Sequence, residues 1–275
     1  MSSLAGTAAL AGCGWPAATG SAPAPVAPVR LRPPAPWPVP PSPADVAALN
    51  ARRQPTRWGM ALSGVATSFV PEAGTSGRQI ALTFDACQGP CDDALIGHLI
   101  ANKVPAVLFF SSRWLDANPA RAAQLAANPL FEIGNHGTRH RPLSVTGRSA
   151  YKIAGTRSVA EAVDEVWANH NRLLELTGRA PRWFRPGTAY YDDVAIDIVR
   201  ELGEVPLGFT VNADNGATAA AATVASNIAH AAPGSIVIAH MNHPRSGTAA
   251  GIARAVPALL AAGWEFVKLG DHTVR

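Results

Sequence analysis

Ile80-Ala81-Leu82-Thr83-Phe84-Asp85 is an apolar run, interrupted only by a threonine, that stops on a carboxylate. A strand with one wet face would alternate apolar and polar residues. This run does not, which predicts a strand covered on both faces, as in a parallel sheet. Outward from it the pattern switches period and back again. Asp92 to Ala101 carries Leu95, Leu99 and Ile100 at helical spacing, and Ala106-Val107-Leu108-Phe109-Phe110 is a second buried strand. A helix over 118–127, a strand at Phe131-Glu132-Ile133-Gly134, a long helix over 159–176 and a strand at Trp183-Phe184 follow. The second half continues with helix 192–202, strand 205–211, helix 219–231, strand 235–239, helix 249–262 despite Pro257, and strand 264–269. This alternation predicts an α/β fold of parallel strands joined by crossover helices. Seven strands of this kind suit a compact, incomplete (β/α) barrel better than a two-domain enzyme.

The bulk composition fits one globular core with an arm. Of 275 residues 48% are apolar, enough to fill a sizeable core. A net charge of +4 with 15% charged residues gives no concentrated basic face, so nucleic acid is not an expected partner. No apolar stretch reaches the length of a membrane-spanning helix. Residues 44–77, with Arg52, Arg53 and Trp58 among short turns, adjoin the strand–helix region and suggest no role of their own.

In a barrel of this type functional groups collect at the carboxyl ends of the strands. Asp85 ends the first strand, and His136 and His140 follow the third. Arg185 ends the fourth, Asp214 follows the fifth and His240 ends the sixth. His136-Gly137-Thr138-Arg139-His140 has a spacing that brings two imidazoles to one metal from a turn. Other residues have plainer readings. His98, His170 and His230 fall in helical stretches and are expected to be solvated; His243 is a loop residue and His272 is near the terminus. Asp192 and Asp193 suit a helix cap and first turn. Tyr190 and Tyr191 suit either a sugar platform or core packing. Cys87 and Cys91 suit either free thiols or a tight local disulfide, and a zinc site built on those two alone would lack partners.

Leu82-Thr83-Phe84-Asp85, then His136 and His140, then Arg185-Pro186, then an apolar strand ending in His240, resembles the polysaccharide deacetylase family. This is the NodB-homology domain of carbohydrate esterase family 4. The resemblance spans roughly residues 78–270, within a domain taken as 78–275. It implies a distorted (β/α) barrel of about seven parallel strands and a divalent metal, zinc first and cobalt or nickel next. The implied activity is removal of N-acetyl groups from a bacterial polysaccharide or peptidoglycan-type glycan. By the same resemblance Asp85 is the general base, His136 and His140 bind metal, His240 is the general acid and Arg185 holds the base. Asp214 matches, less closely, a later acidic position that supports the site.

The chain also departs from the family pattern. Where the family has a second aspartate that ligates metal, this chain has Ala86. Asp85 is then expected as a ligand or shared residue, with Asp92 or Asp93 next, or two histidines with water suffice. If Asp85 serves as ligand, Asp214 is the reserve base. Gly137 stands where Ser or Thr is usual, the Arg185–Tyr191 motif is stretched, and no tryptophan follows Asp214-Asn215-Gly216. A glycan-binding protein without activity, or a metal hydrolase of another amide or ester, are the competing readings.

Residues 1–43 differ from the rest, being rich in Pro and Ala with little that is bulky, which predicts a disordered, partly polyproline linker. Leu10-Ala11-Gly12-Cys13 resembles the lipobox of bacterial lipoproteins, although no basic segment precedes it. It implies a lipidated Cys13, a signal beginning upstream, and a cell-envelope location on the periplasmic side, lipid-anchored or secreted.

Overall fold

The computed structural model describes residues 41–275; Cys13 and nearly all of the Pro-rich arm lie outside the described residues. In chain order the elements are α1 (Pro43–Asn50), β1 (Trp58–Gly59), β2 (Gln79–Ala86), α2 (Asp93–Ala101), β3 (Ala106–Phe110), α3 (Ser112–Ala117), α4 (Pro119–Ala126), β4 (Phe131–Asn135) and α5 (Val159–Thr177). There follow β5 (Trp183–Phe184), β6 (Tyr191–Asp192), α6 (Asp193–Glu201), β7 (Val205–Pro206), β8 (Val211–Asn212), α7 (Ala221–Ala229), β9 (Ile236–His240), α8 (Thr248–Ala261) and β10 (Glu265–Phe266).

Seven strands form a parallel path in the order β7-β5-β4-β3-β2-β9-β8, with β10 beside the start of β2. This is the expected distorted barrel, curled but open between β7 and β8. The two-residue period of the strands sorts their side chains into two layers. Ile80, Leu82, Phe84 and Ala86 face outward into the core shared with α2, α7 and α8. Ala81 faces inward with Val107, Phe109, Trp183 and Ile236. By the same parity Thr83 and Asp85 belong to the inner row, and β2 pairs Asp85 directly with His240 of β9.

The opening has a cause in the sequence. The expected strand over 205–211 is two short strands on opposite edges of the sheet: Val205–Pro206 pairs with β5, Val211–Asn212 with β9. Pro206 has no N–H for a continuing ladder. Beyond it Leu207-Gly208-Phe209-Thr210 crosses the gap, with Gly208 N donating to Ala66 O and Thr210 N to Ile236 O. The expected helix over 118–127 is α4, Pro119–Ala126 between caps Asn118 and Ala127, and the short helix α3 before it ends at Asn118. The closing strand shortens to Glu265–Phe266 before a 3-10 turn.

Residues 44–77 form a strap over this scaffold. Ser42 caps α1 in a capping box with Asp45, which places Pro43 inside the helix and not in the arm. Val46 of α1 packs with side chains of α5 and α6. β1 pairs with β6, and isolated bridges join Ala66 to Leu207, Ser68 to Ser235 and Phe69 to Val274.

Candidate active site at the carboxyl ends of the strands

Two buried ion pairs meet at the top of β2 and β9. Arg185, fully buried after β5, donates from Nη1 to Asp85 Oδ1 at 2.8 Å and to Thr83 Oγ1 at 2.9 Å. Its Nη2 donates to Gly208 O at 3.0 Å, so the crossing that opens the barrel also supplies an arginine acceptor. The guanidinium lies over the Phe109 ring, 4.4 Å from its centroid. Burial raises the Asp85 carboxyl, but the charges of His136, Arg185 and His240 override it and hold the group below its usual range. With Oδ1 fixed by arginine, Oδ2 lies 3.7 Å from His136 Nε2.

The second pair is Asp214 with His240. Asp214 Oδ1 accepts from His240 Nδ1 at 2.9 Å, and Oδ2 accepts from His240 N and Thr248 Oγ1, each at 2.8 Å. Burial raises Asp214, yet the His240 bond and charge and the Thr248 bond bring it below the ordinary value. Burial disfavours the His240 cation, but the bond to Asp214 and the neighbouring Cys87 push its pKa well up. His240 keeps 16% of its side chain exposed, at the groove.

His136 and His140 sit on the loop after β4. A carbonyl can only accept, so the 2.7 Å contact of His136 Nδ1 with Arg185 O makes Nδ1 the donor, and in the neutral ring Nε2 then carries the lone pair, facing the site. Residues 137–141 turn around a buried carboxylate: Arg139 N donates to Glu165 Oε1 at 2.9 Å and Arg141 N to the same atom at 3.1 Å. Gly137 has φ +80° and its missing Cβ would crowd Glu165 Oε1, so a serine or threonine at that position would be strained. The loop returns His140 with its ring 4.8 Å from that of His136.

Cys87, whose neighbour Cys91 is also a free thiol, completes a cluster with the two histidines. One ligand atom from each lies within 4.8 Å of the other two, and Cys87 Sγ is 3.6 Å from His136 Nε2. Burial would raise the thiol, but the His140 charge and bonds with His136, His140 and His240 hold it well below its ordinary value. A tetrahedral centre with bonds of about 2.0–2.3 Å separates its donor atoms by about 3.3–3.8 Å. The trio fits such a centre in donor chemistry and approximate spacing, and the oriented His136 ring supplies the backbone partner that metal-binding histidines use.

Asp85, Arg185, His136, His140, Asp214 and His240 are thus brought together. Asp92 is not: it caps α2, accepting from Leu95 N at 3.1 Å, and has no place in the cluster. Asp214 is not a reserve base, because both its oxygens are committed to His240 and Thr248. His170 is buried, not solvated, and pairs with Glu204. Tyr191 is core, its hydroxyl donating to Phe184 O and Leu207 O. Tyr190 joins Trp58 and Tyr151 in an aromatic group, and Tyr151 lines the groove. Asp192 caps α6 as expected.

Cys87 is the member of this cluster that motif spacing does not single out. Its signal is parity: two positions after Asp85, it continues the inner row as the strand ends, whereas Ala86 points into the helix layer. Asp85, Cys87, His140 and His240 all line one open groove of about 1220 Å³.

Residues 72–206 match the family model described as polysaccharide deacetylase. No curated protein sequence matches the chain. Among solved structures the fold is similar to a peptidoglycan N-acetylglucosamine deacetylase, at 21% identity and TM-score 0.63, over 76% of this chain and 92% of that one. It is also similar to a CE4 family pseudoenzyme from Bacillus anthracis, at 20% identity and TM-score 0.62, over 76% and 69% of the two chains. A third similar fold is a family 4 acetyl xylan esterase from Clostridium thermocellum in complex with a cobalt ion. There the identity is 20% and the TM-score 0.58, over 70% of this chain and 89% of that one.

Proposed function

The chain carries a domain of the polysaccharide deacetylase family, and from that premise we propose that it is a divalent-metal-dependent hydrolase of acetamide groups on a bacterial cell-envelope glycan. The observation that carries the reading is that Asp85, His140 and His240 line one groove, with Arg185, Asp214 and His136 buried directly behind them. A dead site has no physical need to keep two buried, mutually oriented ion pairs, since replacing such pairs with apolar residues is often neutral or stabilising.

An acetamide is a poor electrophile with a poor leaving group. A cation held by His136 and His140, zinc first, with cobalt or nickel next, would supply Lewis acidity toward the carbonyl and acidify water. Asp85 Oδ2, with Oδ1 held by Arg185, takes the proton of the attacking water as its oxygen adds to the carbonyl carbon. Arg185 fixes the carboxylate and keeps it ionised. His240 gives a proton to the nitrogen as the carbon–nitrogen bond breaks, so acetate and a free amine leave. Asp214 holds the His240 ring through Nδ1 and stabilises its cation, leaving Nε2 for the departing group. The proton on Asp85 then exchanges with solvent and the His240 proton is replaced.

Acetate release from N-acetylated oligosaccharides and peptidoglycan fragments tests this. Turnover that a chelator abolishes is expected, with Asp85→Asn and His240→Ala each at least about 100-fold slower while still folded. Full activity in either variant would remove that residue from its role.

Ala86 favours a second reading, a glycan-binding protein without activity on the same fold. Retained glycan binding with no acetate from any substrate would establish it. Acetate from O-acetylated substrates alone would instead favour an esterase. We place the protein in the envelope on its Leu10–Cys13 segment and Pro-rich arm, anchored through Cys13 or secreted. Fatty-acid labelling that persists in Cys13→Ser would rule out the anchor.

A further inference from the structure

We propose that Cys87 is the third protein ligand of this metal centre, standing with His136 and His140 in place of the carboxylate that Ala86 cannot provide. The proposal rests on the metal-dependent reading above and adds to it the identity of the missing ligand and the class of metal it selects.

Placement is the first argument. Ala86 is fully buried in the outer core, packed toward the helices, so that position does not address the groove. Cys87 lines the groove together with Asp85 and His140. Its backbone is pinned by Ser111 Oγ, which donates to Cys87 O at 2.6 Å, so the thiol is carried by a fixed strand end. Its Sγ is 3.6 Å from His136 Nε2, the separation of sulfur and nitrogen on one tetrahedral ion. Moreover, with His136 Nδ1 engaged by Arg185 O, Nε2 is the ring nitrogen left to face a metal.

The second argument is economy of roles. Asp85 is already held by Arg185 at Oδ1, and if it also served as the anionic ligand no other carboxylate among the described residues that line the groove is free to act on water. A thiolate ligand supplies the negative charge and leaves Asp85 Oδ2 to work as base. Binding takes the Cys87 sulfur as thiolate, forms the sulfur–metal bond and releases the thiol proton to solvent. Two imidazoles, one thiolate and an open fourth position is a catalytic zinc arrangement, and the soft sulfur biases the site against magnesium, calcium and manganese.

Cobalt(II) loading of the purified full chain tests this without an activity assay. One cobalt per chain with a near-ultraviolet thiolate-to-cobalt charge-transfer band is expected, unchanged in Cys91→Ser and absent in Cys87→Ser. X-ray absorption of the zinc form should show one sulfur at about 2.3 Å beside nitrogens at about 2.0–2.1 Å. Zinc affinity in Cys87→Ser should fall by more than about 100-fold, beyond the 10–100-fold cost of losing an outer partner. Cys87→Asp guards against misfolding: it should bind cobalt without the band and accept harder cations. Bound cobalt without a charge-transfer band, or a band that survives in Cys87→Ser, would overturn the Cys87 ligand and leave the metal-dependent reading standing. No bound cobalt, zinc or nickel would overturn both.

Discussion

Two of the carboxylate–histidine pairs among the described residues, each hydrogen-bonded through Nδ1, are nearly alike in contact geometry and opposite in their surroundings. Asp214–His240 joins Oδ1 to Nδ1 at 2.9 Å at the groove, and Glu204–His170 joins Oε1 to Nδ1 at 2.8 Å behind the sheet. Asp214 receives three donors over both oxygens and is held below its usual range. Glu204 receives only His170 and Asn135, both at Oε1; its Oε2 has no partner among the described residues, and burial pushes it up to about 7. His240 opens to the groove, while His170 is closed off by Trp167, stacked on it at 4.5 Å. The lesson is that an acid–histidine pair acquires a chemical role from what the second ring nitrogen faces and how completely the carboxylate is solvated by donors.

Turnover should therefore tell the two pairs apart. Asp214→Asn removes the ionised partner of His240 and should lower turnover by about 10³-fold, within the range general acid–base catalysis contributes, together with some stability, because the ionised Asp214 is favoured in the folded state. His170→Ala should lower stability alone. Leaving the buried Glu204 without that hydrogen-bond partner costs about 1–3 kcal/mol, visible as a lower denaturant midpoint, while turnover per folded molecule is largely kept. Parallel measurement of denaturation and acetate release checks both. A His170→Ala protein that folds normally and loses turnover would break the comparison, because it would place the inner pair in the chemistry.

The contrast also explains what the sequence could and could not tell. Uninterrupted apolar runs such as 80–84 and 106–110 make buried parallel strands legible, since period and length depend only on local order. His240, at the end of a long strand, was legible for the same reason. Val205 to Val211 was not: the run is largely apolar throughout, and the separation of its two ends to opposite sheet edges depends on partners more than 20 residues away. His170 falls in a helical stretch like His98 and His230, and nothing local says that it faces Glu204 and not water. Cys87 needed the register of β2, because only the inner-row assignment of Asp85 shows which of its next two neighbours shares the site. Asp92 and Asp214 carry the same functional group as Asp85 but are committed by helix and histidine contacts that sequence spacing does not encode.

The smallest expected effect concerns pH, and it sharpens the comparison most. Glu204 has a native value of about 7 against an ordinary 4.5, so the folded chain keeps a proton that the unfolded chain releases above about 4.5. Its contribution to stability is full below pH 4.5 and is lost as pH rises through about 7. Asp214, held below its ordinary 3.8, has the opposite sign: its contribution is present above that value and lost only in stronger acid. Urea midpoints between pH 5 and 8 should thus fall with pH, and Glu204→Gln should reduce the fall, leaving the share of Glu165, whose carboxyl burial also pushes up to about 7. Trp167→Leu tests the cause. Losing the stacking itself should cost about 0.5–1.5 kcal/mol beyond the lost burial, and by admitting water to His170 and Glu204 it should move the glutamate back toward its ordinary value and reduce the same slope. If Trp167→Leu lowers the midpoint equally at pH 5 and pH 8, closure by the indole is not what sets the inner pair apart. The difference from Asp214 would then rest on the missing donor at Glu204 Oε2 alone.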